Sequence, residues 1–133
     1  MSSAPTAPTP AVPALHALEA ETMNALWDMD EASVREVMDA LNRAAERPRA
    51  YTTYMTILGR LNAKGLLTRH REGKTDFYAP VHSRAEYAEL RAAAEVEALV
   101  DAYGDVALSH FARRMAGLDP QRREVLERMA RAR

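Results

Sequence analysis

Cysteine is missing from all 133 residues of this chain, so a disulfide framework, a thiolate metal site and a cysteine nucleophile are excluded. A cytoplasmic location fits that absence. No P-loop, dinucleotide fingerprint, nucleophile elbow or metal-hydrolase motif occurs, and an enzyme is not expected. No apolar run approaches the roughly 20 residues of a membrane span. The opening MSSAPTAPTPAVP has neither the basic nor the apolar segment of an export signal, so neither secretion nor insertion is expected. An excess of one charge is also missing: the net charge is -1, which at first sight argues against a nucleic-acid partner.

The distribution of charge reverses that impression. Up to Asn42, a single arginine, Arg35, stands against seven acids, a net -6. From Arg43 to Lys74, eight bases stand against Glu46 and Glu72, a net +6. A polyanion-binding surface needs such a local excess. With 47% hydrophobic and 28% charged residues, the composition is globular and the length suits about one ordinary domain. Residues 1–13, rich in Pro, Ser, Thr and Ala, bury too little surface to order themselves and are expected to form a flexible tail.

Helical periodicity begins at Leu15, with Leu18, Thr22 and Leu26 on one side and Met23 and Trp27 flanking them; this first helix should end near Asp28. Ser33 and Glu36 form a capping box ahead of Val34, Val37, Met38 and Leu41, the i, i+3, i+4, i+7 pattern of a second helix. Pro48 ends that element. A third helix is expected from about Thr52 to Lys64, with Gly65 as its left-handed cap. LLTRHR and TDFYAPV then flank EGK, where Gly73 supplies a hairpin turn. Three helices and a hairpin wing, over residues 14–81, make a winged helix-turn-helix in a mainly α chain.

Residues 82–133 read as helices only. Ser83 and Glu86 form another capping box, Gly104 interrupts, and Asp119-Pro120 starts the last helix. So short a set of amphipathic helices builds a poor core by itself, which predicts a homodimer formed through Tyr87, Leu90, Val96, Leu99, Val100, Tyr103, Leu108, Phe111 and Met115.

The stretch AYTTYMTILGRLNAKGLL bears on function. On a helical wheel Tyr54, Met55, Leu58 and Leu61 cluster on one arc, and Thr52, Thr53, Thr56, Arg60 and Ala63 lie opposite. Threonine is a mediocre helix former, yet it suits a helix entering the major groove, where its hydroxyl meets phosphates or base edges and its methyl meets thymine. Arg60 is placed to bind a phosphate or a guanine, and Arg71 and Lys74 sit at the hairpin tip, where a wing meets flanking phosphate. Arg49, Tyr51 and Lys64 complete the expected DNA-binding set. Gly59, bare of side chain, eases close approach.

ASVREVMDAL, AYTTYMTILGRLNAKGLL and REGKTDFYAPV, with GDVALSHFARRM further on, closely resemble the penicillinase-repressor family of bacterial winged-helix regulators, the BlaI/MecI type. The resemblance covers Leu15 to about Arg131. It implies a repressor that binds palindromic double-stranded DNA operators as a homodimer held by a C-terminal arm. It also implies Thr53, Thr56 and Arg60 as recognition-helix residues and Arg71 and Lys74 as wing residues. In several family members a membrane-bound zinc metalloprotease that senses a β-lactam triggers cleavage in the arm, between Asn and Phe, and the resemblance opens the same route to this chain. Here the pair is His110 and Phe111, a departure at the first position.

Two alternatives stand beside DNA binding: a metal site and a protein-docking module. His16, His70, His82 and His110 show no ligand spacing and lie on different predicted elements, so neither metal nor cofactor is expected. A winged-helix module that docks on protein is the rival function; it predicts that Arg60, Arg71 and Lys74 are dispensable.

Overall fold

Residues 12–132 are described by the computed structural model, in the order α1 (Ala17–Met29), β1 (Ala32–Ser33), α2 (Val34–Ala44), α3 (Tyr51–Ala63), β2 (Leu67–Glu72), β3 (Thr75–Pro80), α4 (Arg84–Tyr103), α5 (Asp105–Ala116) and α6 (Pro120–Arg131). The chain divides into two units, up to Ala92 and from Ala93 onward.

In the first unit, α1, α2 and α3 close around Met23, Leu26, Val37, Tyr54, Leu58 and Leu61, all essentially without exposed surface. Each such side chain contributes about 1.5–3 kcal/mol relative to an exposed one. The expected capping box starts α2: the Ser33 N–H donates to Glu36 Oε1 at 2.9 Å and the Glu36 N–H to Ser33 Oγ at 3.2 Å. The end of α3 is a Schellman motif, with the Leu66 N–H donating to the Leu61 carbonyl and the Gly65 N–H to that of Asn62, both at 3.0 Å. Gly65 takes the left-handed conformation this closure requires, at φ 81°.

Strands β2 and β3 form the expected hairpin, paired from Leu67 with Pro80 to Glu72 with Thr75. Gly73, at φ 64°, opens the two-residue turn. The sheet has a third strand that the sequence reading lacked: β1 pairs antiparallel with β3, Ala32 opposite Tyr78 and Ser33 opposite Phe77, in the order β1-β3-β2. A two-residue strand has no periodicity to read. Its pairing ties the base of the wing to the start of α2.

The expected tail lies outside the described residues as far as Ala11. Its last two residues are held in place: Val12 packs on the core, Arg91 Nη1 donates to the Val12 carbonyl at 2.8 Å, and Tyr87 Oη donates to the Pro13 carbonyl at 2.6 Å. Trp27 lies 5.5 Å from the Tyr87 ring, donates to the His82 carbonyl at 2.8 Å and carries the Arg84 guanidinium 5.4 Å above its face. These contacts draw the start of α4 into the first unit, beyond the boundary expected at residue 82.

In the second unit, Arg123 of α6 donates to the carbonyls of Met115, Ala116 and Leu118 at 3.0–3.2 Å, satisfying acceptors that the end of α5 leaves open. Among the described residues from Ala93 onward, only Ala107 is buried, at 9% exposure.

One buried charge joins the first and third helices. Glu19, 1% exposed, accepts from Lys64 Nζ at 2.9 and 2.8 Å and from the His16 N–H at 3.0 Å. Burial pushes the carboxyl up, but the His16 hydrogen bond and the Lys64 hydrogen bond and charge outweigh it and hold it below the ordinary carboxylate range. Glu19→Gln is therefore expected to cost ~2–3 kcal/mol at pH 7. Because the folded pKa is depressed, the carboxylate's contribution is complete above the unfolded value of about 4.3 and fades as pH falls through the folded one. Thermal melts should show the two proteins well separated at neutral pH and converging only in acid, once the Glu19 carboxylate is protonated in the folded protein.

Candidate nucleic-acid interface

The position of α3 is set before the helix begins. Asn42, near the end of α2, donates through Nδ2 to the Arg49 carbonyl at 2.9 Å, and its Oδ1 accepts from the Arg49 N–H at 3.0 Å and from Tyr54 Oη at 2.7 Å. One amide thus closes the α2–α3 turn and grips the buried face of α3. Ala50 gives α3 no side-chain cap.

With Tyr54, Ile57, Leu58 and Leu61 facing the core, the outward face of α3 consists of Tyr51, Thr52, Met55, Thr56, Arg60 and Ala63, all exposed. Thr53 is half-buried at the edge. Met55 was expected on the buried arc, and the structure corrects this: it is 48% exposed. The buried arc centres on Tyr54, Leu61 and Ile57, which carries the start of that arc past Met55.

Beside this face a cleft of about 510 Å³ opens between α3, the start of α2 and the wing, lined by Arg35, Tyr51, Met55, Arg71, Lys74 and Asp76 among others. Arg71 Nε lies 3.3 Å from Asp76 across the hairpin. Three cations and a phenol at the rim of one groove suit a phosphodiester strand. Arg35 was not among the expected site residues; its signal was its standing as the lone base in an acidic segment, one residue into a capped helix.

Of the expected contacts, one is engaged elsewhere and another makes only an exposed contact at the limit of an ion pair. Lys64 is held by Glu19, and Arg49 Nη1 lies 3.9 Å from Glu21 on α1. On the arm, Val96, Leu99, Tyr103, Leu108 and Phe111 are exposed, while Val100 and Met115 are half-buried. Leu90 and Tyr87 fall in the first unit instead, and Tyr87 is occupied by Trp27 and Pro13; burial there raises its phenol above the ordinary value. His110 and Phe111 lie within α5, so cleavage between them requires that helix to unwind first. No cluster of three or more His, Asp or Glu able to hold a metal occurs among the described residues, and no described helix is long and apolar enough to cross a membrane.

The Asn42 network gives a direct test of how α3 is held. Asn42→Ala strips the Tyr54 hydroxyl and both Arg49 backbone groups of their partner and is expected to cost ~1–3 kcal/mol, whereas Tyr54→Phe, which removes one bond, costs ~1 kcal/mol. Urea denaturation of the two variants should rank them in that order.

Comparison with known proteins agrees with this arrangement. The model of the penicillinase repressor family matches residues 15–132. Over 116 residues the chain is 40% identical to the transcriptional regulator BlaI of Mycobacterium tuberculosis, in both strain H37Rv and strain CDC 1551, covering 82% of this chain and 80% of the relative. The solution structure of the DNA binding domain of the repressor BlaI superposes with a TM-score of 0.50 at 29% identity, covering 57% of this chain and 90% of that one. Matched across nearly all its described length, the chain belongs to the penicillinase repressor family.

Proposed function

We propose that this protein is a sequence-specific transcriptional repressor that binds double-stranded DNA operators as a homodimer. The observation that carries the reading is the pairing of an outward α3 face, uncharged from Tyr51 to Gly59, with a cleft rimmed by Arg35, Arg71 and Lys74. A helix lying in the major groove leaves one DNA strand passing between it and the wing, which is where those cations stand. Affinity then comes from phosphate contacts at the rim and sequence preference from the face.

Gly59 supports the same reading. A Cβ built there would meet nothing within 4 Å, so nothing inside the protein requires glycine at that position. A glycine inside a helix nonetheless costs roughly 0.5–1 kcal/mol relative to alanine. The reason for it lies outside the chain, in the close approach of DNA.

Dimerisation rests on the second unit, whose exposed Val96, Leu99, Val106, Leu108 and Phe111 leave it almost without a core of its own. A second copy supplies the missing apolar partner.

Fluorescence anisotropy on a duplex from the protein's own promoter region, against a scrambled duplex and across a salt series, tests the function. Wild type should prefer the promoter and lose affinity steeply with salt. Arg35→Ala, Arg60→Ala and Lys74→Ala should each lower the salt slope by about one, whereas Lys64→Ala should leave the slope unchanged and reduce stability. Gly59→Ala should raise the melting temperature while weakening promoter binding. Weak, equal binding to both duplexes would assign the face to a protein partner. For the dimer, sedimentation should give two copies for wild type at micromolar concentration and one for the Leu99→Glu, Phe111→Glu double variant; a monomeric wild type overturns that part.

A further inference from the structure

We propose that Met55 is a base-reading residue whose thioether recognises the C5-methyl group of a thymine in the operator; the inference rests on the DNA-binding reading above and goes beyond it by naming the chemical group that is read. Met55 stands at 48% exposure on the outward face of α3, with Tyr51 one turn before it, Gly59 one turn after it, and Thr52 and Thr56 alongside. A face meant only for water would hold Glu, Lys or Gln, which are better helix formers than threonine and better solvated than methionine.

Base edges in the major groove offer hydrogen-bond donors, acceptors and a single apolar group, the thymine methyl. Thr52 and Thr56 match the first two kinds with their hydroxyls. Met55 has no counterpart in the groove except the third. Its unbranched, polarisable side chain adapts to a small apolar target better than a branched one.

The shape of the face agrees. Helical side chains lean toward the N-terminus, so Met55 covers the turn that carries Tyr51, and both line the cleft beside the wing. The surface over Gly59 stays open. A base edge entering over Gly59 therefore meets the thioether as a wall on its N-terminal side, and a methyl group projecting from that edge is buried against it.

The test uses the full-length protein and an operator selected by it from a pool of random duplexes. Each thymine of the selected site is replaced in turn by deoxyuridine, which removes the methyl and nothing else, and binding is followed by anisotropy. Wild type should lose about fourfold at one thymine of each half-site, the equivalent of ~0.8 kcal/mol for one buried carbon group. Met55→Ala should bind the unmodified operator more weakly and show no further loss at that thymine, while Met55→Leu should keep the sensitivity. Melting temperatures of both variants should match wild type, since the side chain is exposed. Indifference of wild type to every deoxyuridine, or full retention of the penalty in Met55→Ala, overturns the assignment while leaving DNA binding intact. Failure to select any site overturns both.

Discussion

The docking of α3 is the constraint on which the rest depends, because one helix must be buried along one arc and legible along the other. Tyr54, Leu58 and Leu61 have no exposed surface, and their burial fixes the rotation of the helix about its axis. Two polar contacts then fix its ends. Asn42 closes the turn leading into α3 and bonds to Tyr54, while Glu19 takes Lys64 just past the last helical residue. A helix held by apolar burial alone tolerates small rotations and slides; hydrogen bonds at both ends do not, since each loses its geometry within a fraction of an ångström. Preorganisation of this kind lowers the ordering cost when a partner is met.

The same network explains why Lys64 does not contribute to the charged rim: it belongs to the basic segment, yet it is held by Glu19 on α1. Arg49 lies 3.9 Å from Glu21 with both side chains exposed, a contact that leaves it open to solvent. The acidic character of the first helix is thus partly consumed in holding α3. Exposed bases that remain include Arg43, Arg47 and Arg69, Arg60 on the helix, and Arg35, Lys74 and the Asp76-paired Arg71 around the cleft. Charge counted along the sequence overstated the size of the polyanion surface and understated its focus, because a count does not distinguish a base that is paired inside the fold from one aimed at solvent.

Local signals in the sequence were sufficient for most elements. Ser33 with Glu36 and Ser83 with Glu86 announce helix starts through hydrogen bonds spanning three residues, and Gly65 and Gly73 announce a stop and a turn through φ alone. What stayed hidden depends on partners far along the chain. Strand β1 exists because Ala32 meets Tyr78, 46 residues later. Glu19 is buried because Lys64 is 45 residues away, and Tyr87 left the expected dimer face because Trp27 and Pro13 lie beneath it. Met55 was misplaced for a different reason. It is apolar and lies next to Tyr54, so a wheel drawn from hydrophobicity alone assigns it to the core, whereas the rotation chosen by Ile57, Leu58 and Leu61 turns it outward.

That rotation separates two tasks on one surface. In the proposed complex, cations at the periphery would supply long-range attraction that is indifferent to sequence and weakens with salt. The centre of α3, from Tyr51 to Gly59, has no charge, so its interactions act only at contact and only with matching chemistry. A charged group in the centre would strengthen binding to every duplex alike; a neutral one leaves the wrong sequence with nothing to gain. The two threonines, the methionine and the empty position at Gly59 are unfavourable choices for a helix considered alone. Together they give a face of hydroxyls, one soft apolar contact and a recess, which is the chemistry that the proposed docking against base edges would use.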